Sequence, residues 1–266
     1  MIGVSLGIAC NPRGESFGFS GAVEGLMHYS WQHGIDAQPP LRIASADVGH
    51  NRSEITMDFR HKTTNDWLMF LDDDTCPPVD ALCRLIDLYQ PYCAGVYYYK
   101  TREKGFEPLI YSREPNGRYK PFTDYHRGEI VQVDSVGMGC TLIHRMVFEG
   151  ILNRFNVGLR PNGSVTLVKK GAPKAARYGV KIGDSKALDK YDAIPFFLTD
   201  QGRTEDHWFA ELAEVAGYKP VIDTMVECSH IGEIGTTGAN YRWLRAEKRH
   251  DRQVLREMAR SREAVA

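Results

Sequence analysis

Four short apolar segments alternate with helical patterns through the first 99 residues, and this alternation restricts the fold more than any other feature. Ile2 to Ala9 reads as a buried strand, followed by the loop Cys10-Asn11-Pro12-Arg13-Gly14. Apolar residues recur at helical spacing from Ser16 to His33, Leu41 to Ser45 is a second strand, and Glu54 to Lys62 is a helix. Trp67 to Leu71 is a third strand, apolar throughout, as burial on both faces requires. Pro77-Pro78 opens a helix over Val79 to Tyr89, because proline suits a first helical turn, and Tyr92 to Tyr99 is a fourth strand. The β-α-β-α-β-α-β order predicts an α/β fold, with a mostly parallel central sheet, helices on both faces and right-handed crossovers.

Beyond residue 99 the pattern loosens. Residues 100 to 128 read as loops with a hairpin. Ile130 to Val133 and Cys140 to Ile143 are strand-like, joined by the tight connector Val136-Gly137-Met138-Gly139. Residues 157 to 192 read as a long basic loop or small insertion. Regular structure is expected again at Ile194 to Leu198, a helix at Glu205 to Ala216 closed by Gly217, and short strands at Val221 to Asp223 and Met225 to Cys228. The tail from Asn240 to Arg262 is a charged helix candidate. With no repeat and no clear linker, residues 1–239 are expected to form one domain and 240–266 a basic tail.

Lys plus Arg number 33 and Asp plus Glu 34, which excludes a uniformly basic nucleic-acid binder but not a local basic face. Six cysteines lack any C-x-x-C spacing and read as buried thiols of a reducing cytosol rather than zinc ligands. The first residues lack a basic leader, and no apolar stretch approaches the roughly 20 residues of a membrane span. A cytoplasmic location is therefore expected.

The strongest chemical signal is Asp72-Asp73-Asp74, directly after the third strand. Adjacent carboxylates repel one another unless a cation or water compensates. They stand at the C-terminal end of a strand, the edge at which open α/β sheets bind ligands. Carboxylate oxygens suit Mg²⁺ or Mn²⁺. A solvated acidic turn capping the following helix is the plainer alternative. Three further segments carry candidates. Val133 to Arg145 contains Gly137 and Gly139, which permit close backbone approach or simply a hairpin. Thr204-Glu205-Asp206 opens a helix, where Thr204 is a potential cap and acids suit the dipole. Cys228-Ser229-His230-Ile231-Gly232 offers an imidazole, either a ligand or a structural histidine.

An apolar strand, Asp-x-Asp and a proline-started helix, followed in order by a glycine segment, Glu-Asp and a late His, resembles glycosyltransferases of the GT-A fold, especially the family 2-like group. The resemblance covers roughly residues 2 to 232. It implies a Rossmann-like GT-A domain and transfer of a sugar from a nucleotide-sugar, a UDP-sugar first among donors, to an acceptor hydroxyl. It implies Mn²⁺ or Mg²⁺ held by Asp72, Asp74 and His230. Asp72 and Asp73 would also assist at the ribose or donor sugar, with Gly139 close to the ligand. Asp206 would be the catalytic base, as in inverting members, with Glu205 beside it. Asn11 and Arg13 would lie near the base and ribose, Asp47 near the nucleoside, and Arg52 near the nucleotide or diphosphate.

The acceptor is less constrained. Residues 160–190 and 240–262 each hold eight Lys or Arg. Such segments fit either a polyanion or plain solvated faces. The polyanion reading points to a hydroxymethylated base in DNA, as certain bacteriophage glycosyltransferases use, and a surface glycan or lipid-linked sugar is the other acceptor. Two different classes compete. A haloacid-dehalogenase-type phosphatase also places Asp-x-Asp after an apolar strand, its first Asp a nucleophile. However, its motif continues to Thr or Val where this chain has Cys76. A non-catalytic nucleotide or nucleic-acid binding module shares the fold without turnover.

Overall fold

A computed structural model describes residues 1–12, 16, 18–45, 47–101, 105–159, 165–170, 177–179, 196–199 and 203–231. Arg13, most of 157–192 and the whole of 240–266 lie outside the described residues. The first half follows β1 (Ile2–Cys10), α1 (Phe19–Gln32), β2 (Ile35–Ala37), β3 (Leu41–Ala44), α2 (Val48–Lys62) and β4 (Trp67–Asp72). Then come β5 (Thr75–Cys76), α3 (Ala81–Asp87), β6 (Tyr92–Val96), β7 (Tyr98–Thr101) and β8 (Gly105–Pro108). The rest comprises β9 (Ile110–Arg113), β10 (Tyr119–Pro121), β11 (Ile130–Gln132), β12 (Ser135–Val136), β13 (Cys140–His144) and α4 (Arg145–Arg154). The last elements are β14 (Phe155–Leu159), β15 (Val165–Lys169), β16 (Arg177–Gly179), α5 (Glu205–Ala216), β17 (Val221–Glu227) and β18 (Ser229–His230).

The main sheet has the order β11-β17-β6-β13-β4-β1-β2, with β3 also pairing β1. β1 runs parallel to β2, β3 and β4, and β17 runs parallel to β6. β13 is antiparallel to both β4 and β6, and β11 is antiparallel to β17. The sheet is thus largely parallel, as expected, but a reversed strand wedges between the third and fourth strands of the sequence pattern.

Side-chain size explains how the two faces differ. In β1, Val4, Leu6, Ile8 and Cys10 pack with α1 and α3 residues such as Phe19, Leu26 and Leu82. The intervening positions include Gly3, Ser5 and Gly7, which let α2 come close: a Cβ on Gly7 would stand 2.3 Å from Ile55 Cγ2. β4 feeds both layers, Met69 and Leu71 to one and Leu68 and Phe70 to the other. The second layer takes Phe59 from α2, Phe148 from α4 and Trp208 from α5. Helices therefore cover both faces of the sheet. Among the described residues no helix is long and apolar enough to cross a membrane.

Several expectations need correction. The second helix begins at Val48 rather than Glu54, because Asp47 caps it through Gly49 N (2.9 Å) and His50 N (3.3 Å). Helix α3 starts at Ala81, two residues later than expected from the proline pair. Residues 100–128 contribute to two hairpins, β7–β8 and β9–β10. Part of 157–192, read as loop, forms the antiparallel sheet β14-β15-β16. Phe196 to Thr199 contains bends and no strand. The two short strands after residue 220 are one strand, β17, with a register irregularity between Ile222 and Glu227. Helix α5 has the expected bounds and ends at Gly217 with φ 99°, although the Thr204 side chain makes no cap bond.

Helix α4 went unanticipated, and its first residue ties it to α2. Arg145 donates to the carbonyls of Phe59, Arg60, Thr63 and Asn65 at 2.8–3.1 Å, and its guanidinium lies 4.3 Å from the Phe59 ring centroid. A cation thus satisfies the orphan carbonyls at a helix C-terminus. Arg145→Ala is expected to destabilise the fold by about 2–3 kcal/mol, several modest hydrogen bonds being lost together. Chemical denaturation should show a lower midpoint with an unchanged slope. A midpoint equal to that of the parent protein would show that water replaces the arginine at no cost.

Candidate active site

Strand pairing, rather than sequence proximity, assembles the site. β4 delivers Asp72 opposite Ala9 of β1, and the chain turns through Asp73 and Asp74 into β5. β5 pairs with β18, His230 opposite Thr75 and Ser229 opposite Cys76. Ile231 N donates to Asp74 O at 2.7 Å. This short ladder brings His230 Nε2 to 3.1 Å from Asp74 Oδ2. The His230 Nδ1 side is set by the Tyr98 carbonyl at 3.2 Å, which requires a proton on Nδ1. Two species can then fill the gap between Nε2 and the carboxylate: a second proton, or a cation. Burial alone would lower the His230 pKa, but the hydrogen bond and charge of Asp74 prevail and raise it.

This arrangement fits a hard divalent ion. A neutral imidazole oriented by a backbone carbonyl presents Nε2 as a ligand, with Asp74 as its oxygen neighbour. Among the described residues no three His, Cys, Asp or Glu side chains stand together as a ready metal cluster. The reason is local: Asp72 directs Oδ1 to Arg52 at 2.6 Å. Mg²⁺-type ions commonly take one or two carboxylates and complete their shell with water and phosphate, so the set is chemically sufficient.

Arg52 is the centre of a buried charge cluster. It is 3% exposed and lies on α2, one turn after the Asp47 cap. One arm contacts Glu205 and, at 2.9 Å, Asp206, and the other reaches Asp72. Arg52 Nε has no hydrogen-bond partner among the described residues. Burial works against the guanidinium charge, but Asp72, Asp206 and Glu205 together hold its pKa above the ordinary value. Burial raises the pKa of Asp72, with Arg52 opposing. It raises that of Asp206 well above the usual carboxylate range, helped by the charges of Glu205 and Asp72 and again opposed by Arg52. Three residues singled out on two separate motifs, Asp72 on one and Glu205 and Asp206 on the other, thus converge on a fourth, Arg52.

A cavity of about 620 Å³ opens beside this cluster, at the C-terminal ends of β1, β3 and β4. The acid triplet, Tyr97 and His230 line it, together with Asn11, Pro12, Ser45 and Val48. Asn11 N donates to Asp73 Oδ2, tying the first loop to the triplet. Asp47 is placed differently from expectation: its carboxylate is used on the α2 amides, and it does not line the cavity. Arg52 is behind the wall rather than on it. Gly139 lies in the turn just before β13, where its carbonyl accepts from Asp72 N at 3.2 Å and its N–H donates to Tyr97 Oη at 3.1 Å. Neither Gly137 nor Gly139 has a positive φ. Both are small because of what lies above them: a Cβ would stand 2.3 Å from Tyr97 Oη at Gly137 and 2.8 Å from Tyr97 Cζ at Gly139.

Tyr97 and Asn51 were not anticipated. Asn51 is buried, with Nδ2 3.2 Å from the Cys10 carbonyl and Oδ1 2.6 Å from Ser45 Oγ, joining α2 to the loops after β1 and β3. Its position between His50 and Arg52 was the one available signal. The basic segments 160–190 and 240–262 proposed for an acceptor lie largely outside the described residues.

No protein-family model matches this sequence, and no curated protein does. Among solved structures, the chain is similar to A197 from STIV, with TM-score 0.44 and 17% identity over 86% of this chain and 85% of that one. It is also similar to a glycosyltransferase involved in the glycosylation of the major capsid of PBCV-1, with TM-score 0.28 and 16% identity over 55% of this chain and 62% of that one. At these levels the likeness adds nothing to the site's own geometry.

Proposed function

We propose that this protein is a divalent-metal-dependent glycosyltransferase that moves a sugar from a nucleotide-sugar to an acceptor hydroxyl with inversion. The observation carrying this reading is the Asp74–His230 pair, held at 3.1 Å on the wall of a cavity at the C-terminal sheet edge. Mn²⁺ or Mg²⁺ held by Asp74 and His230, with Asp72 also lining the cavity, would supply positive charge for the leaving diphosphate. The chain's own groups divide the remaining tasks. Asn11, Pro12, Ser45 and Val48 form the nucleoside end, with Asp73 at the ribose. Asp206 accepts the acceptor proton, its raised pKa bringing it nearer the working pH of a general base. Arg52 keeps Asp206 and Asp72 in register.

The test is release of UDP from a UDP-sugar panel, with Mn²⁺ and then with EDTA. Metal-dependent release that disappears in Asp74→Asn is expected, together with loss of donor-induced thermal stabilisation in that variant. Hydrolysis of a phosphomonoester without any sugar donor would identify a phosphatase instead. Metal-dependent nucleotide binding with no turnover on any acceptor would identify a binding module.

A further inference from the structure

We infer that Tyr97 is a substrate-binding residue, whose phenolic O–H donates to a phosphate oxygen of the donor's diphosphate beside Asp74 and His230. This rests on the nucleotide-sugar reading above. Tyr97 is 4% exposed, yet it lines the cavity beside Asp72, Asp74 and His230. Its ring meets His230 edge-on, with centroids 5.7 Å apart and planes at 73°. Its oxygen already accepts the Gly139 N–H, at 3.1 Å. That bond uses a lone pair and leaves the hydroxyl proton, which makes no hydrogen bond among the described residues.

A buried hydroxyl with an unsatisfied proton is costly, so an acceptor arriving with substrate is the economical solution. The phenol is well suited to the task. A tyrosine phenol keeps its proton across the physiological range and so is available as a donor. The surrounding backbone is shaped to the ring. Both Gly137 and Gly139 lack the Cβ that would strike it, so the hydroxyl rests against main chain. An anionic oxygen is the preferred acceptor, because a charge-assisted bond is stronger than a neutral one. On the nucleotide-sugar reading the diphosphate meets the cation held by Asp74 and His230, and the His230 ring is the one that Tyr97 touches. The bond should therefore fall on the terminal phosphate of a nucleoside diphosphate and not on a monophosphate.

The experiment is calorimetric titration of the full chain and of Tyr97→Phe with UDP and with UMP, in Mn²⁺. The expected result is a loss of about tenfold in UDP affinity with UMP affinity unchanged. A purely structural role, through the lost Gly139 bond, would weaken both nucleotides alike and overturn the inference. Equal UDP affinity in the two proteins would also overturn it, leaving the transferase reading intact. Failure of the parent protein to bind either nucleotide would remove that reading and this inference with it. If Tyr97→Phe does not fold, a crystal structure of the parent protein with UDP and Mn²⁺ decides. Tyr97 Oη within about 2.5–3.0 Å of a β-phosphate oxygen is expected, and a separation beyond about 4 Å overturns the inference.

Discussion

Arg52→Ala is expected to lower the melting temperature by on the order of 10 °C and to abolish transfer. The guanidinium is the shared partner of Asp72, Glu205 and Asp206, and Glu205 is only 7% exposed. Removing one member of a buried ion cluster typically costs about 3–5 kcal/mol, since the remaining charges keep their desolvation penalty without compensation. At about 2–4 °C per kcal/mol for a chain of this size, that is the predicted shift. Arg52→Lys should recover only part of it, because an ammonium cannot bridge three carboxylates on two sides. Differential scanning calorimetry checks both. A shift under about 3 °C for Arg52→Ala would mean that the carboxylates relax by protonation, and that the cluster contributes little to the fold.

Asp206→Asn is expected to reduce turnover by about 10²–10⁴-fold, the usual contribution of a positioned base. Donor binding should change little, because Asp206 is assigned to the acceptor hydroxyl, whereas Asp74 and His230 are assigned to the donor's diphosphate. The pH dependence follows from the same burial. Asp72 and Asp206 both have folded-state pKa values raised above their unfolded values. Their contribution to stability is therefore fully present below the unfolded carboxylate pKa, about 4, and is lost as the pH rises through the folded values. Asp206→Asn removes one of these ionisations, so its melting temperature at pH 8 should equal or exceed that of the parent protein. Turnover of the parent protein runs the other way, rising with pH as Asp206 ionises, with a midpoint above the usual carboxylate range. Parent-like turnover in Asp206→Asn would end the assignment of the base.

Much of the site was legible because its residues are unusual where they stand. Three acids behind five apolar residues have few purely structural explanations, and a Glu-Asp pair opening a helix is visible from its flanking pattern. Arg52 was visible only as a cation in a loop-like stretch, and the expectation placed it at the nucleotide or diphosphate. The structure turns it inward because Asp47 starts α2 six residues early, which puts Arg52 on the helix face that meets Glu205 and Asp72. Tyr97 gave no signal, being one aromatic in the run Tyr97-Tyr98-Tyr99 of an apolar strand. Only the hydrogen bond that its hydroxyl accepts from Gly139 N, and its place on the cavity wall, distinguish it.

The same division holds for the fold. Local periodicity and capping chemistry act between neighbours in sequence, so the first strands, the bounds of α5 and the left-handed Gly217 were readable from the chain alone. Strand order is a long-range property. The insertion of β13 between β4 and β6 depends on which apolar faces bury best together. The β5–β18 ladder that joins Asp74 to His230 depends on two dipeptides too short to show any period. Spacing named the acid triplet, and the family resemblance named the Glu-Asp pair and the histidine; only the packed sheet decided which of them face a cavity, and which face an arginine.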